Sequence, residues 1–450
     1  MPSSSKLKVV IIGGGSVAWA PPLLRDMLMK PALSGAHYVL YDINKKASDK
    51  VDAFIRKLAA HAGFTKATFE STNQREKAFR GADYFIIAIS TGGLDAMAHD
   101  LAIPEKFGIF HTVGDTSGPG GWSRLIRNYG VFADFARDFN RLAPRAVVLN
   151  YTNPMCTLTD VLSRHCKAPV VGLCHGLFEN LEFLKKRYKL EDENELSINY
   201  GGLNHFFWAN QIHAKSTDVL ADLTRRLQRQ RFSDLLREAT AGRRSFEINH
   251  REVATELFHL TGLMPYLGDR HTCEFFSSYI TSRKNLKKYK LVRTSIADRR
   301  KLFEERDREL DRELAAKKLS GYWFNRSRET AADIIESHSQ NKVFIDVGNV
   351  PNRGQIVNLP AGLVVETAVR VDGNGFSPIA FGALPPIVHG FIQPYAHVYP
   401  MVVDACLRKD RKLALRALRL DPVCAHLNTE QVNDMGNQLI AAHQRFITAF

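Results

Sequence analysis

Apolar runs rich in valine and isoleucine alternate with helix-compatible segments along the first half of the chain. The runs begin at Lys8, His37, Asp83, Arg145 and Ala168, and glycine or polar residues follow each of them. Buried strands alternating with helices are typical of a parallel sheet with helices on both faces. We therefore predict an α/β fold whose ligands bind at the carboxyl ends of the strands.

The first two runs carry the pattern of a dinucleotide site. The first run ends in Gly13-Gly14-Gly15-Ser16, where Gly13 permits a tight turn, Gly15 permits close approach of a pyrophosphate, and Ala18 occupies the third, small position. The second run ends in Asp42, at the spacing expected for a ribose-hydroxyl ligand. An acid at this position favours NAD over NADP.

Two further loops follow strands of the same predicted sheet or lie between them. Thr91-Gly92-Gly93 closes the run from Asp83, and we expect it to contact the cofactor. Residues Gly114 to Gly121 predict a flexible, glycine-rich loop that no rigid core element would tolerate. This loop either contacts substrate or simply turns the chain.

The second half of the chain indicates a mixed α/β lobe. Val364 to Val371 alternates like a strand, and Asp372-Gly373-Asn374-Gly375 indicates a turn after it. We predict a Rossmann-like NAD-binding domain over residues 1–200, similar to that of lactate and malate dehydrogenases. A mixed α/β domain for substrate, metal and oligomerisation is predicted over residues 201–450.

Composition agrees with a two-lobed enzyme of the cytoplasm. A chain of 450 residues with 45% hydrophobic content exceeds what one core usually holds. Met1 to Lys8 is a polar lead without a signal-peptide apolar region, and no run reaches the roughly 20 residues needed to cross a bilayer. The six cysteines form no paired framework, which favours reduced thiols.

The formal charge of +14 raises the possibility of a nucleic-acid partner. Much of the excess lies in the helical stretches Leu223 to Arg244 and Arg283 to Lys318, and the second stretch mixes both signs. Compensated pairs on a solvated helix explain this pattern better than a nucleic-acid surface does. We therefore expect neither nucleic acid nor membrane as a partner.

Candidate metal ligands follow the nucleotide-binding segment. Cys174 and His175 end the run from Ala168, and Asn204 and His205 lie further along the chain. A thiolate and a neutral imidazole suit borderline divalent ions, and two protein ligands leave positions open for substrate oxygens. A buried cysteine and a hydrogen-bonded core histidine are the alternative for the same residues.

With these motifs in order, the chain resembles glycoside hydrolase family 4, the NAD- and divalent-metal-dependent glycosidases. The resemblance extends over nearly the whole chain. Besides the glycine turn, Asp42, Cys174-His175 and Gly202-Leu203-Asn204-His205, it rests on Val113-Gly114-Asp115-Thr116, Asn153-Pro154-Met155, Asn352-Arg353-Gly354 and Val371-Asp372-Gly373-Asn374-Gly375. The family is an exception to hydrolysis by a pair of carboxylates.

The resemblance implies a redox-assisted elimination. NAD oxidises carbon three of the sugar, a base removes the proton of carbon two, the glycosidic oxygen leaves, water adds, and the hydride returns. It also implies that Cys174 and His205 hold a divalent metal, similar to manganese in the family, and that Asn153 lies at the junction of substrate and cofactor. Asn204 is expected to orient its neighbour or bind a sugar hydroxyl, and His175 to bind substrate or act as an acid.

The base at carbon two is predicted within Leu267 to Phe276, a polar cluster inside an otherwise apolar stretch. Asp269 is the first choice and Tyr266 is the rival, because family members also use tyrosine. Arg270 is predicted to bind an anionic group of the substrate. A surface loop with Asp269 and Arg270 paired to each other is the structural alternative.

The residue after Cys174-His175 bears on the sugar. Gly176 at this place is similar to family members that act on α-glucuronides, so an α-linked uronic acid is favoured over a neutral α-glucoside or α-galactoside. An NAD-dependent dehydrogenase of the 2-hydroxyacid type is the alternative of another class. A homodimer or homotetramer is implied by the resemblance.

Overall fold

The computed structural model describes residues 6–239 and 250–450. Residues 1–5 of the polar lead and residues 240–244 of the basic stretch from Leu223 lie outside this description. The strands are β1 (Lys8–Ile12), β2 (His37–Tyr41), β3 (Thr68–Thr72), β4 (Tyr84–Ile87), β5 (Val147–Asn150), β6 (Val170–Gly172), β7 (Leu196–Leu203), β8 (Phe206–Ala214), β9 (Thr217–Asp218), β10 (Met264–Pro265), β11 (Phe344–Pro351), β12 (Val364–Asp372) and β13 (Gly375–Pro378).

Helices cover both faces and one end of the sheet that these strands form. They are α1 (Ala20–Leu28), α2 (Lys45–His61), α3 (Arg75–Phe79), α4 (Gly93–Lys106), α5 (Gly118–Leu142), α6 (Met155–His165), α7 (Gly176–Tyr188), α8 (Val219–Leu227), α9 (Phe232–Ala239), α10 (Glu252–Thr261), α11 (Asp269–Thr272), α12 (Ser277–Ile280), α13 (Arg283–Lys288), α14 (Ile296–Ala315), α15 (Ala331–Gln340), α16 (Pro386–Arg408), α17 (Arg411–Leu420) and α18 (Thr429–His443).

Six parallel strands form the nucleotide-binding part of the sheet, in the order β3-β2-β1-β4-β5-β6. This is the doubly wound order, with the switch point between β1 and β4. Alternate residues of β1 pack into different cores, Val9 and Ile11 on one face and Val10 and Ile12 on the other. The predicted Rossmann-like α/β fold is confirmed.

The second half of the chain extends the same sheet with antiparallel strands. β11 pairs with the edge of β6 through Asn349 and Gly172, and β12, β7, β8 and β10 follow outward. The predicted strand from Val364 is β12, and its turn leads into β13. β7 runs across position 200, the boundary predicted between the two domains.

The glycine-rich segment from Gly114 corrects one prediction. Its second half is not a flexible loop, because α5 begins at Gly118 and the glycines there are buried in its first turn. A Cβ on Gly121 would lie 2.6 Å from the carbonyl of Thr116, so only glycine lets this helix pack so closely on the preceding loop. The signal taken for flexibility was a signal for close packing.

Helix α14 covers much of the mixed-charge stretch from Arg283 to Lys318. Only Leu310 of α14 is buried, and ion pairs link this helix to its surroundings, among them Arg300 to Asp95 and Lys50 to Asp307. Among the described residues, none of the helices has the length and apolar content of a membrane span.

Candidate active site

The turn after β1 is the predicted cradle for a dinucleotide. The amides of Gly13 and Gly14 both donate to the carbonyl of Tyr41 at 3.0 Å, which ties the turn to β2. Gly13 has φ of +95°, and a Cβ there would lie 2.3 Å from the carbonyl oxygen of Ala88. Helix α1 begins only at Ala20, so the turn is wider than a turn that enters the helix directly.

The remaining predicted cofactor residues border this turn. The two carboxylate oxygens of Asp42 accept hydrogen bonds from the amides of Gly15, at 2.9 Å, and Asn44, at 2.8 Å. The amide of Ser16 donates to the carbonyl of Gly13. Asp42 keeps further lone pairs for a ribose hydroxyl, since each carboxylate oxygen accepts more than one hydrogen bond.

Thr91 lies in the loop after β4, at the same edge of the sheet. Its hydroxyl donates to Asn128 Oδ1 at 2.6 Å, and its carbonyl accepts a hydrogen bond from Arg127 Nε at 3.0 Å. Both partners belong to α5, so that helix fixes the loop that faces the glycine turn.

Cys174 and His205 meet directly, although they come from different parts of the sheet. Cys174 follows β6, His205 lies in the turn between β7 and β8 with φ of +62°, and its Nε2 is 3.0 Å from the sulfur. Burial, with the nearby carboxyl of Glu366, raises the pKa of the Cys174 thiol well above its ordinary value. Burial, with His271, lowers the pKa of His205, so the imidazole is neutral.

A chain of hydrogen bonds orients the His205 ring. Thr116 Oγ1 donates to Asp115 Oδ1 at 2.9 Å and accepts from His205 Nδ1 at 3.0 Å, which leaves Nε2 with its lone pair toward Cys174. Burial opposes ionisation of Asp115, but His271, Arg124 and His205 keep its pKa well below the ordinary value. A carboxylate behind a ligating histidine is a usual feature of metal sites.

Sequence reasoning gave Asp115 and Thr116 no individual role, although they lie in a motif of the resemblance. The sequence indicates their importance through Gly120-Gly121, because Gly121 packs against the carbonyl of Thr116 and fixes the position of this loop.

Asn204 faces a buried carboxyl that the sequence analysis did not single out. Its Nδ2 donates to Glu366 Oε2 at 2.8 Å, and Asn349 Nδ2 donates to the same oxygen at 2.9 Å. Burial raises the pKa of Glu366 to about 7. The signal in the sequence is the position of Glu366 beside the apolar residues that begin β12. Asn204 thus positions the His205 turn, and its Oδ1 has no partner among the described residues.

Asn153 lies at the carboxyl end of β5, before a cis peptide bond to Pro154. Its carbonyl accepts a hydrogen bond from Arg124 Nε at 2.9 Å. Its side-chain Oδ1 is buried without a hydrogen-bond partner among the described residues. An orphaned amide oxygen at this edge of the sheet is available to a ligand.

His175 points toward the nucleotide side of the site. Its ring stacks on Trp19 at 5.4 Å between centroids, and its Nε2 bonds to Glu329 Oε1. Trp19 immediately precedes α1, so this stack joins the glycine turn to the end of β6. Neither Trp19 nor Glu329 was singled out from the sequence, because their contact is made only by the fold.

The two candidate bases occupy different surroundings. Both oxygens of Asp269 accept backbone hydrogen bonds at 3.0 Å, from Val253 and Ala254 in the first turn of α10. Burial raises the pKa of Asp269 to about 7. The contacts of Asp269 are those of a helix cap.

The ring of Tyr266 instead stacks on His205 at 5.6 Å. A Cβ on Gly176 would lie 3.5 Å from Tyr266 Cε2 and 3.7 Å from the Cys174 sulfur, so ring and thiol flank this glycine. Burial raises the pKa of the Tyr266 hydroxyl well above its ordinary value.

The hydrogen bonds of Arg270 reach the segment before α14 and the loop after α4. Its Nε donates to the carbonyl of Val292 at 2.9 Å, and its Nη2 donates to Thr294 Oγ1 at 2.8 Å and to the carbonyl of Thr112 at 3.3 Å. Arg270 thereby joins the segment before α14 to the loop that leads to Asp115.

The residues present fit both predicted groups. The glycine turn with Asp42 fits a dinucleotide. The Cys174 thiol and the neutral His205 imidazole, whose Sγ and Nε2 lie 3.0 Å apart, are the donor types that borderline divalent metals prefer. Across residues 6–239 and 250–450 there is no group of three or more metal-ligating side chains. A cation held by this pair therefore keeps open positions for other ligands.

Known proteins match this chain over most of its length. The model of the family 4 glycosyl hydrolases matches residues 8–190, and the model of their C-terminal domain matches residues 200–424. An alpha-galacturonidase of Bacillus subtilis is 32% identical, over 93% of this chain and 93% of its own length.

Solved structures show the same fold over the whole chain. A Bacillus subtilis protein described as glucosidase lplD superposes with a TM-score of 0.85 at 29% identity, covering 96% of this chain and 99% of that one. A 6-phospho-alpha-glucosidase from gut microorganisms, solved with NAD and Mn²⁺, superposes with a TM-score of 0.79 at 19% identity, covering 98% and 99%. The chain belongs to glycosyl hydrolase family 4.

Proposed function

We propose that this enzyme hydrolyses α-linked galacturonides and requires NAD and a divalent metal such as manganese. The observation that carries the proposal is the contact between Cys174 Sγ and His205 Nε2, 3.0 Å apart at the edge of the sheet where the glycine turn also lies. A plain dehydrogenase of the 2-hydroxyacid type has no use for such a pair. NAD supplies reversible oxidation of the sugar, and the metal supplies Lewis-acid polarisation of its oxygens.

The relatives support galacturonide over the α-glucuronide that Gly176 indicated. The two sugars differ only in the configuration at carbon four, and both carry a carboxylate at carbon five. The Bacillus subtilis relative is called an alpha-galacturonidase. The predicted class, an α-linked uronic acid, is unchanged.

Different residues of the site bind the metal, orient its histidine ligand and bind the sugar. Cys174 and His205 hold the metal, and Thr116 and Asp115 keep His205 Nε2 directed at it. The orphaned Oδ1 of Asn153 accepts a hydrogen bond from a sugar hydroxyl at the junction with the cofactor.

Tyr266 is the better placed base for the proton at carbon two, because its ring flanks the metal ligands while Asp269 caps α10. A cation at Cys174 and His205 lowers the pKa of a hydroxyl beside it. His175, paired with Glu329, is placed to donate a proton to the leaving oxygen.

The test is release of nitrophenol from α- and β-linked galacturonide, glucuronide, galactoside and glucoside, with NAD and manganese each present or omitted. We expect cleavage of the α-galacturonide that needs both additions and accumulates no NADH. The Cys174→Ser variant should lose this activity, whereas Cys166→Ser, at the end of α6, should keep it. Steady NADH production without cleavage would assign the chain to the dehydrogenases, and preference for another sugar would refute the galacturonide assignment.

A further inference from the structure

A half-buried arginine near the metal ligands forms no close ion pair within the described part of the chain. Arg299 lies in the first turns of α14, where its amide donates to the carbonyl of Ser295 at 3.0 Å. Its guanidinium makes no hydrogen bond or ion pair with the residues that the structure describes. Its neighbours differ, because Arg293 pairs with Glu105 and Arg300 pairs with Asp95.

The start of α14 is fixed to the loop that supports His205. The amide of Thr294 donates to the carbonyl of Thr112 at 2.7 Å, and Arg293 Nε donates to the carbonyl of His111 at 3.1 Å. Four residues after His111 the same loop carries Asp115, whose carboxylate orients His205 through Thr116. Arg299 therefore follows a segment that is fixed to the Asp115 loop, and its guanidinium lies within electrostatic reach of Asp115.

The charges around Arg299 leave an excess of positive charge. Its guanidinium interacts electrostatically with Asp115, Arg270 and Arg124. The Arg124 guanidinium is held by the backbone carbonyl of Asn153, which satisfies a hydrogen bond but neutralises no charge. Asp115 is a single carboxylate among these cations. A half-buried guanidinium without a partner costs free energy, which an anionic ligand recovers.

Resting on the proposed function, we infer that Arg299 binds the carboxylate of the galacturonide held at Cys174 and His205. The planar guanidinium presents parallel N–H donors that match both oxygens of a carboxylate. A neutral sugar has a hydroxymethyl group at this position and cannot neutralise the charge. Arg299 therefore provides specificity for a uronic acid without taking part in the bond-breaking steps.

The phosphates of the dinucleotide are the other possible anionic ligand for Arg299. The glycine turn lies after β1, whereas the segment that positions Arg299 leads to His205, so the sugar is the closer partner. Affinity for NAD separates the two possibilities, because only a phosphate contact would make it depend on Arg299.

The experiment compares Arg299→Gln and Arg299→Lys with the wild-type holoenzyme loaded with NAD and manganese. Binding of galacturonate and of galactose is measured by calorimetry, together with kcat/KM for nitrophenyl α-galacturonide. We expect Arg299→Gln to weaken galacturonate binding and to lower kcat/KM by about 100-fold, the loss of a bidentate charged contact, while galactose binding stays the same. Arg299→Lys should recover part of the loss, since it restores charge but not the paired donors.

The matched control is Arg306→Gln, which removes an exposed arginine from the same helix. It should behave as the wild type. Equal weakening of galacturonate and galactose by Arg299→Gln, or a loss of NAD affinity, would overturn the inference. Failure of the wild-type enzyme to cleave any α-galacturonide would refute the proposed function instead, so the two failures are distinguishable.

Discussion

Asp269 was predicted from the sequence to be the base at carbon two of the sugar, but its hydrogen bonds are those of a cap on helix α10. Its carboxylate accepts hydrogen bonds from Val253 and Ala254 at the start of α10. Hydrogen bonds to a charged group contribute about 1.5–3 kcal/mol each, and loss of a cap costs about 0.5–2 kcal/mol. Two such bonds give about 3–6 kcal/mol, and burial of the carboxylate offsets part of this gain, so we expect Asp269→Ala to lower the free energy of unfolding by about 2–4 kcal/mol.

The assay combines urea unfolding with kcat and with exchange of the carbon-two proton in deuterated water. Asp269→Ala, assayed where it remains folded, should keep kcat within about tenfold of the wild type, whereas Tyr266→Phe should lose about 100-fold or more, as for removal of a general base. The matched control is Asp410→Ala, which removes an aspartate cap from α17. We expect it to cost about 1 kcal/mol without affecting kcat. A thousandfold loss of kcat and of proton exchange in a stably folded Asp269→Ala would refute the capping role.

Further predictions concern pH, packing and the cofactor. Burial raises the pKa of Glu366 to about 7, so its contribution to stability is present below pH 4 and is lost as the pH rises through 7. In urea unfolding at pH 5 to 8, the free energy of unfolding of Glu366→Gln should fall less with pH than that of the wild type. An equal fall would contradict the prediction. Gly121→Ala should destabilise the protein by about 1–3 kcal/mol and lower kcat, because the new Cβ would lie 2.6 Å from the backbone carbonyl of Thr116. Gly390→Ala is the control: it lies in open space on α16 and should be neutral or stabilising in thermal unfolding. Asp42→Ala should weaken NAD binding by about 1–2 kcal/mol in fluorescence titrations, and Asp83→Ala, at the other end of the sheet, should not.

The sequence predicted the parts of the site that depend on local pattern. Gly13 and Asp42 follow strands whose apolar runs are unmistakable, and Cys174 ends another such run, so the topology alone brings them to one edge. The pairing of Cys174 with His205 was predicted through the family resemblance, because no local rule connects the end of β6 with the turn after β7.

What the sequence could not predict depends on long-range contacts. Glu329 reaches His175 from a segment far along the chain, and Arg299 comes within electrostatic reach of Asp115 because the residues before α14 bond to His111 and Thr112. In a helix rich in both charges, the sequence gives no reason to separate Arg299 from its solvated neighbours. The glycines after Ser117 were misjudged because glycine marks both loose loops and the closest packing.

The pairing of β6 with β11 affects how the protein can be divided and how it can move. The strands of the nucleotide-binding half and those of the second half form one hydrogen-bonded surface, with Gly172 beside Asn349. A fragment that stops before β7 would expose the edge of β6 and would be prone to aggregate through it. A hinge motion between the halves would have to break the pairing of Gly172 with Asn349, so we expect substrate to enter between loops and side chains at the rim of the sheet.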